Sequence, residues 1–541
     1  MNTNKYFKAM MRTLKFVFAA FVMVLFIQSC ESNLDLQPED GRLTADAAFE
    51  DPAAYKQFLA KLYAGISLSG QDGPAGNPDL AGLDEGFSNY LRLYWKMQQL
   101  TSDEALIGWN DGTIKDLHSQ TWTSGNEFIR TMYSRVFYQI ALTNEFLRQT
   151  TSSKLDSRGV DADLRAQIQD YRAEARFMRA LSYWHAMDLF GNVPFITEAD
   201  PIGAFLPEQI QRADLFNYIE GELLDIEGDI VAARQNEYGR ADQAAVWMLL
   251  AKLYLNAEVY TGTPRYSEVV TYTNNIIGAG YTIPANEYYQ LFLADNDSNG
   301  AQEEVIFTIP FDGLNTQSFG GMTFLVHAPV GGSMDPADFG INGGWFGVRT
   351  TPTFVEQFPG EENSADGRAL FYTDGQEKDI FDTSPFNQGF AVEKFRNVDV
   401  NGNAGSDTTG DHPDTDFPMF RLADAYLMYA EASLRGGGGS MSTARDYINE
   451  LRERAYGNTS GNITEADITL DFILAERSRE LFWEAHRRTD LIRFGQFSSQ
   501  GIWQWKGNVQ QGVTTEAFRD IMPIPAADLG VNTNLQQNEG Y

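Results

Sequence analysis

The chain has 541 residues, 43% of them hydrophobic, with one cysteine and a formal net charge of −33 from 74 acidic against 41 basic side chains. Such a length and apolar content support a large buried core. The acidic excess disfavours nucleic acid and anionic lipid as charge-matched partners, and one cysteine excludes an internal disulfide framework.

Residues 1–29 read as a secretory signal peptide. Lys5, Lys8, Arg12 and Lys15 precede an apolar run over residues 16–27, which ends at Gln28-Ser29-Cys30. The run is shorter than the roughly 20 residues that span a bilayer. The only cysteine falls at the cut, where it resembles the acylated acceptor of a bacterial lipoprotein. A lipid on Cys30 holds a protein at an outer-membrane surface without spanning it. Residues 30–45, beginning Glu31-Ser32-Asn33-Leu34-Asp35, are polar and acidic. They read as a flexible tether, and the acidic patch resembles the surface-export signal of Bacteroidetes-type lipoproteins.

Helical periodicity dominates the remainder. Asp51 and Pro52 have the chemistry of an N-cap and a first helical residue, ahead of Phe58, Leu59, Leu62, Tyr63 and Ile66 at helical spacing. A second helix is predicted over 129–147. Further stripes follow at Ala173, Phe177, Ala180, Leu181 and Trp184, and at Ala244, Met248, Ala251 and Leu255. Towards the C-terminus come Leu422, Ala425, Tyr426, Tyr429 and Ala430, then Ala444, Ile448, Leu451 and Ala455, then Leu474, Ser478, Leu481, Phe482 and Ala485. Alanines beside large aromatics let helices approach closely. The expected fold is mainly α, with degenerate tetratricopeptide-like helix pairs as a scaffold; the alternative is an irregular helical bundle.

Two segments break this pattern, about 68–125 and about 280–420. Both are rich in Gly, Asp or Asn and aromatics, and the second includes a β-like run at Val305–Ile309. Long irregular segments in a compact protein are usually functional or disordered, and aromatic content argues for structure. The ligand site is therefore expected on these loops.

The sequence Asp295-Asn296-Asp297-Ser298-Asn299-Gly300-Ala301 places oxygen side chains at positions 1, 3 and 5, a glycine at 6 and a backbone carbonyl, that of Ala301, at 7. That is the opening of a calcium loop. Ile306 stands where an EF-hand has its bidentate glutamate, so the loop is not an EF-hand, and an Asx-rich turn is the alternative. Signals for catalysis are weak. The five histidines form no H-E-x-x-H pair, and neither a G-x-S-x-G elbow nor a Walker loop is present. With 74 acidic residues, a glycosidase-like carboxylate pair has no diagnostic value.

The C-terminal stretches carry a family resemblance. They are Arg421-Leu422-Ala423-Asp424-Ala425-Tyr426 running on to Glu431-Ala432, Ala475-Glu476-Arg477-Ser478-Arg479-Glu480-Leu481-Phe482-Trp483-Glu484, Arg487-Arg488-Thr489-Asp490-Leu491, and Met522-Pro523-Ile524-Pro525 through to Asn538-Glu539-Gly540-Tyr541. Together with the lipobox and helix pairs, they resemble the SusD/RagB family of outer-membrane glycan-binding lipoproteins. The resemblance implies one domain over 46–541 and a non-enzymatic role. It implies capture of oligosaccharide for a TonB-dependent, SusC-like transporter. Asp84-Glu85-Gly86-Phe87 through Trp95, Trp109-Asn110-Asp111 and Gly340 through Trp345 look closest to the starch-binding subgroup. By that resemblance Trp109, Trp345 and Phe319 form an aromatic platform, and Asp84, Arg92 and Asn110 supply hydrogen bonds. An arc of rings suits a curved α-glucan, and starch-type relatives strengthen the expectation of calcium at Asp295, Asp297, Asn299 and Ala301. Glu484 and Arg488 are spaced for a helical ion pair. Arg477, Arg479, Arg487 and Arg493 are expected to tie helix ends and loops together. The competing expectations are another neutral glucan such as laminarin, a surface glycosidase, and a repeat-type adaptor that binds protein alone.

Overall fold

The helices begin where the sequence supplies caps. Asn126 Oδ1 accepts from Phe128 N and Ile129 N, opening the helix Glu127–Gln149. Asp161 caps Ala162–Phe190 through Leu164 N, and that helix stops at Gly191, whose φ of 69° is left-handed. Asp242 caps Gln243–Leu255 through Ala244 N and Ala245 N. In chain order we label the principal helices α1 (Ala53–Ser67), α2 (Glu127–Gln149), α3 (Ala162–Phe190), α4 (Arg212–Ile226), α5 (Gln243–Leu255), α6 (Tyr266–Gly278), α7 (Leu422–Leu434), α8 (Met441–Tyr456) and α9 (Leu470–Leu481).

The computed structural model describes residues 5–8, 10–11, 45–80 and 84–541. Cys30 and most of the signal peptide and tether lie outside the described residues. The chain divides into two compact units, Met1–Tyr55 and Lys56–Tyr541. In the first, Asp51 Oδ1 accepts from Ala53 N at 2.9 Å, as its N-cap chemistry predicts. In the second, helices stack in succession: α2 on α3, α3 on α4, α5 on α6, α6 on α7, α7 on α8 and α9. Ala244, Ala245, Ala251, Ala423, Ala425, Ala430 and Ala432 are all buried at these contacts. The scaffold is thus mainly α and built from helix pairs, as the periodicity predicts. Among the described residues no helix is long and apolar enough to cross a membrane.

Among the described residues, eight short strands form four antiparallel ribbons: β1 (Leu106–Ile107) with β5 (Val348–Arg349), β2 (Val193–Pro194) with β3 (Gln209–Ile210), β4 (Val305–Ile309) with β8 (Phe417–Arg421), and β6 (Phe371–Tyr372) with β7 (Ala391–Val392). The expected β-run is β4. The loop segments are less irregular than their composition suggests. Residues 68–125 contain the helix Tyr90–Trp95, a π-helical turn Lys96–Leu100 and the helix Lys115–Ser119. Residues 90–100 are buried on every side, so they show no amphipathic stripe for a periodicity argument to detect. The second segment contains the helix Gly321–His327, again buried throughout.

The Glu484–Arg488 pair is a correction. Helix α9 ends at Leu481, and Trp483 and Ala485 adopt left-handed φ of 62° and 64°, so the two residues do not share a helix. Glu484 instead meets Arg421 at 2.6 Å and Lys394 at 2.7 Å, while Arg488 meets Asp188 at 2.9 Å. All are buried. Arg421 also reaches Glu304 at 2.7 Å and Glu480 at 2.6 Å, and Arg368 reaches Asp366, Glu476 and Glu480. Arg477, Arg487 and Arg493 bind Asp424 and Asp490, Asp103, and Glu431 respectively, joining elements as expected. Arg479 pairs locally with Glu476 and donates to the Gln357 carbonyl. In such a network, removing one partner strands a buried charge, which is more costly than the network's net worth.

Candidate functional site

The register of β1 and β5 builds the site. Leu106 pairs with Arg349 and Ile107 with Val348, and Gly108 N donates to Gly347 O at 2.8 Å. Continuing the ladder brings Trp109 opposite the 345–347 segment. The Trp109 indole Nε1 donates to the Trp345 carbonyl at 3.0 Å, across 236 positions of sequence. The two ring centroids lie 6.3 Å apart with planes at 45°. A Cβ on Gly347 would come within 2.3 Å of the Trp109 ring, so that residue must be glycine for the indole to lie against the backbone. Both tryptophans are half-buried.

Arg92 lies beside Trp109. Its guanidinium carbon sits 4.5 Å from the Phe324 centroid, 5.0 Å from Phe87 and 6.0 Å from Trp109. Arg92 is buried, and Nη1 donates to the Phe319 carbonyl at 3.1 Å. Burial pushes its pKa down to about 10, opposed by the carboxylates of Asp84, Asp111 and Glu85. It therefore stays cationic at neutral pH and is held by aromatic faces. One turn on, Lys96 is fully buried among Phe87, Phe128 and Phe324, and burial drives its ammonium well below the usual lysine range.

The loop carrying Phe319 is fastened on two sides. Glu85 accepts from Ser318 Oγ at 2.6 Å and from Phe319 N at 3.0 Å, while Arg92 takes the Phe319 carbonyl. Asn89 Oδ1 receives both Arg92 N and Gly321 N. The half-buried Phe319 ring lies 5.4 Å from His412. Asp84 is exposed and accepts from Phe87 N at 3.2 Å, and Asn110 is exposed next to Trp109. The structure thus gathers Asp84, Arg92, Trp109, Phe319 and Trp345 around one set of contacts, with Asn110 at the rim.

Sequence reasoning missed the supports. Phe324 and Phe87 sandwich Arg92, and Glu85 docks the 318–319 turn. His327 stacks on Trp345 at 4.9 Å with planes at 24°. Its Nδ1 lies 2.7 Å from Gly343 O and its Nε2 3.0 Å from Asp411 O, so one imidazole bridges two loops. Burial lowers its pKa, against the pull of those carbonyls. The stretch Asp84-Glu85-Gly86-Phe87 marks Glu85 and Phe87 without showing these roles, and no local pattern marks Phe324 or His327, because loops distant in sequence bring them together.

The 295–301 loop closes largely on itself. Asn299 Nδ2 donates to Asp295 Oδ1 at 3.1 Å, Asn299 Oδ1 accepts from Ala301 N at 2.9 Å, and Asp297 Oδ1 accepts from Ser298 Oγ at 2.8 Å. Asp295 Oδ2 accepts from Val400 N at 3.2 Å. These are Asx-turn contacts. Among the described residues, no cluster of three His, Cys, Asp or Glu side chains is poised to hold a metal. A cation here would draw on the two carboxylates and on oxygens now engaged in the turn.

Residues 362–541 match the model of the SusD family. The starch-binding protein SusD of Bacteroides thetaiotaomicron is 35% identical, with 97% of this chain and 98% of that protein covered. A solved SusD superfamily protein from Parabacteroides distasonis superposes with a TM-score of 0.69 at 22% identity, covering 92% of this chain and all of that one. Surface glycan-binding protein A of B. thetaiotaomicron, solved in complex with laminarihexaose, gives a TM-score of 0.68 at 19% identity over 90% of this chain and 98% of that one. The stacked helix pairs and their loop insertions are therefore the fold of the SusD superfamily. With a relative of 35% identity along nearly its whole length, the chain belongs to the SusD family.

Proposed function

We propose that this protein binds a neutral glucan at the Trp109–Trp345 platform, and that the glucan is α-linked. The paired indoles carry the reading: two partly buried rings 6.3 Å apart with planes at 45° would offer successive apolar surfaces to a chain that curves. Support for starch or maltooligosaccharide comes from the relative named for starch binding, over 97% of this chain. The neighbour solved with laminarihexaose keeps laminarin as a second reading, although at 19% identity it speaks for fold alone. A strongly acidic surface favours a neutral ligand over alginate or pectin.

The role is binding, with no chemistry at the site. Lipidated at Cys30 and tethered through residues 30–45, the protein sits on the outer-membrane surface and delivers captured glycan to a TonB-dependent, SusC-like transporter. Calcium at Asp295, Asp297, Asn299 and the Ala301 carbonyl completes the proposal as a structural ion that replaces the turn's own contacts. Isothermal calorimetry against maltoheptaose, laminarihexaose and alginate tests the glycan assignment. The account expects maltoheptaose to bind and alginate not to. Binding of laminarihexaose alone removes the α-glucan assignment, and release of reducing ends from any of these glycans removes the non-enzymatic one.

A further inference from the structure

Phe346 follows Trp345 directly and is oddly placed for a bulky residue. Its φ is 55°, in the left-handed region that a large L side chain rarely occupies. The residue is 52% exposed. Elsewhere in the loop, left-handed positions such as Gly332 and Gly340 are glycines. A strained, exposed bulky residue is the kind of outlier from which function can be argued.

The surroundings hold its ring in place. Phe346 N donates to Val330 O at 3.0 Å, which fixes the backbone. The ring meets Phe386 edge-on, with centroids 5.6 Å apart. A Cβ on Gly331 would lie 2.6 Å from the Phe346 ring and 2.9 Å from Phe386, so that glycine leaves the space both rings occupy. Two residues further on, the Ser333 and Tyr372 hydroxyls lie 3.0 Å apart in an exposed position, and Ser333 Oγ also donates to Asp374 O. An aromatic floor with an aromatic wall and a nearby pair of hydroxyls has the composition of a pyranose subsite. The nearest cation, Arg349, is buried behind the Phe386 ring, 5.8 Å from its centroid.

The geometry points to a second sugar subsite on Phe346, occupied by a pyranose residue of the same glucan chain beyond the one on Trp345. The inference rests on the platform reading above. Trp345 turns its ring towards Trp109 and His327, while Phe346 turns its ring towards Gly331 and Phe386. The two rings therefore pack against different neighbours, so each would hold a different sugar of the chain. Phe346 adds reach, and its contribution depends on chain length.

The test is calorimetry with maltotriose and maltoheptaose on wild type, Phe346→Ala, Phe346→Gly and Trp345→Ala, with melting temperatures recorded. Phe346→Ala should weaken maltoheptaose about tenfold and leave maltotriose unchanged, as expected for an outlying aromatic anchor. Phe346→Gly should lose the same affinity without any fall in melting temperature, because glycine relieves the left-handed strain. Equal weakening of both sugars, or a wild-type response to both, overturns the subsite. So does a melting-temperature loss in Phe346→Gly that accounts for the affinity change. If Trp345→Ala keeps wild-type affinity for both sugars, the platform reading itself fails, which separates the two.

Discussion

Trp345→Ala is the sharpest perturbation of the proposed platform, because the structure separates its effect on binding from its effect on folding. The backbone anchor survives: Trp109 Nε1 donates to the Trp345 carbonyl, and residue 345 N donates to His327 O, bonds that alanine retains. What is lost is the indole, with its contacts to Trp109 at 6.3 Å and His327 at 4.9 Å. Aromatic contacts contribute about 0.5–1.5 kcal/mol each beyond the area they bury, so with the partial burial of the indole stability should fall by roughly 2–4 kcal/mol and leave the scaffold folded. Binding should fall further in proportion. A central aromatic anchor costs about 2 kcal/mol or more on truncation, which is roughly thirtyfold in Kd. Calorimetry with maltoheptaose measures the loss, and far-ultraviolet circular dichroism checks the helices. Wild-type affinity in a folded Trp345→Ala protein refutes the platform.

Arg421→Met should destabilise the protein by about 3–5 kcal/mol in urea unfolding, because Glu304, Glu480 and Glu484 are left buried without their shared cation; a change under 1 kcal/mol would show the network to be dispensable. Stability should peak near pH 5. Burial alone would raise Asp490, but Arg477 and Arg493 overcome it and hold its carboxyl down to about 2, so about 2 kcal/mol is present above its unfolded pKa and lost as pH falls through 2. Burial raises Glu104 to about 8 and Asp416 to about 7, so their ionisation costs stability as pH climbs from 5 to 8; a flat urea midpoint from pH 3 to 8 contradicts both signs. Chelator should lower the melting temperature of wild type and leave Asp297→Ala unaffected, whereas identical curves with metal removal verified by elemental analysis dismiss calcium. Cys30→Ser should abolish palmitate labelling and release the protein from outer membranes; retention of both would end the lipoprotein assignment.

The scaffold was legible because its signals are local. The Asp51 cap was read directly from the sequence, and alanine-bearing stripes mark faces that α3, α5, α7 and α8 bury. The buried helix and turn at residues 90–100 were not legible. Residues 90–100 touch protein on every side, and without a polar face no period appears. The spacing of Glu484 and Arg488 misled for a different reason: spacing cannot foresee that Trp483 and Ala485 turn left-handed and send the two charges to separate partners. At the site, family motifs pointed to Trp109, Trp345 and Arg92. Phe324, Glu85 and His327 reach them only through the β1–β5 register and the 318–321 docking, which join segments more than 200 positions apart. Such non-local geometry leaves no trace in any short window.

A crystal structure of the protein with maltoheptaose tests the central claim most directly. The account predicts pyranose rings against Trp109 and Trp345, with the chain curving across the pair. Sugar density at another surface, with the two indoles bare, would contradict it.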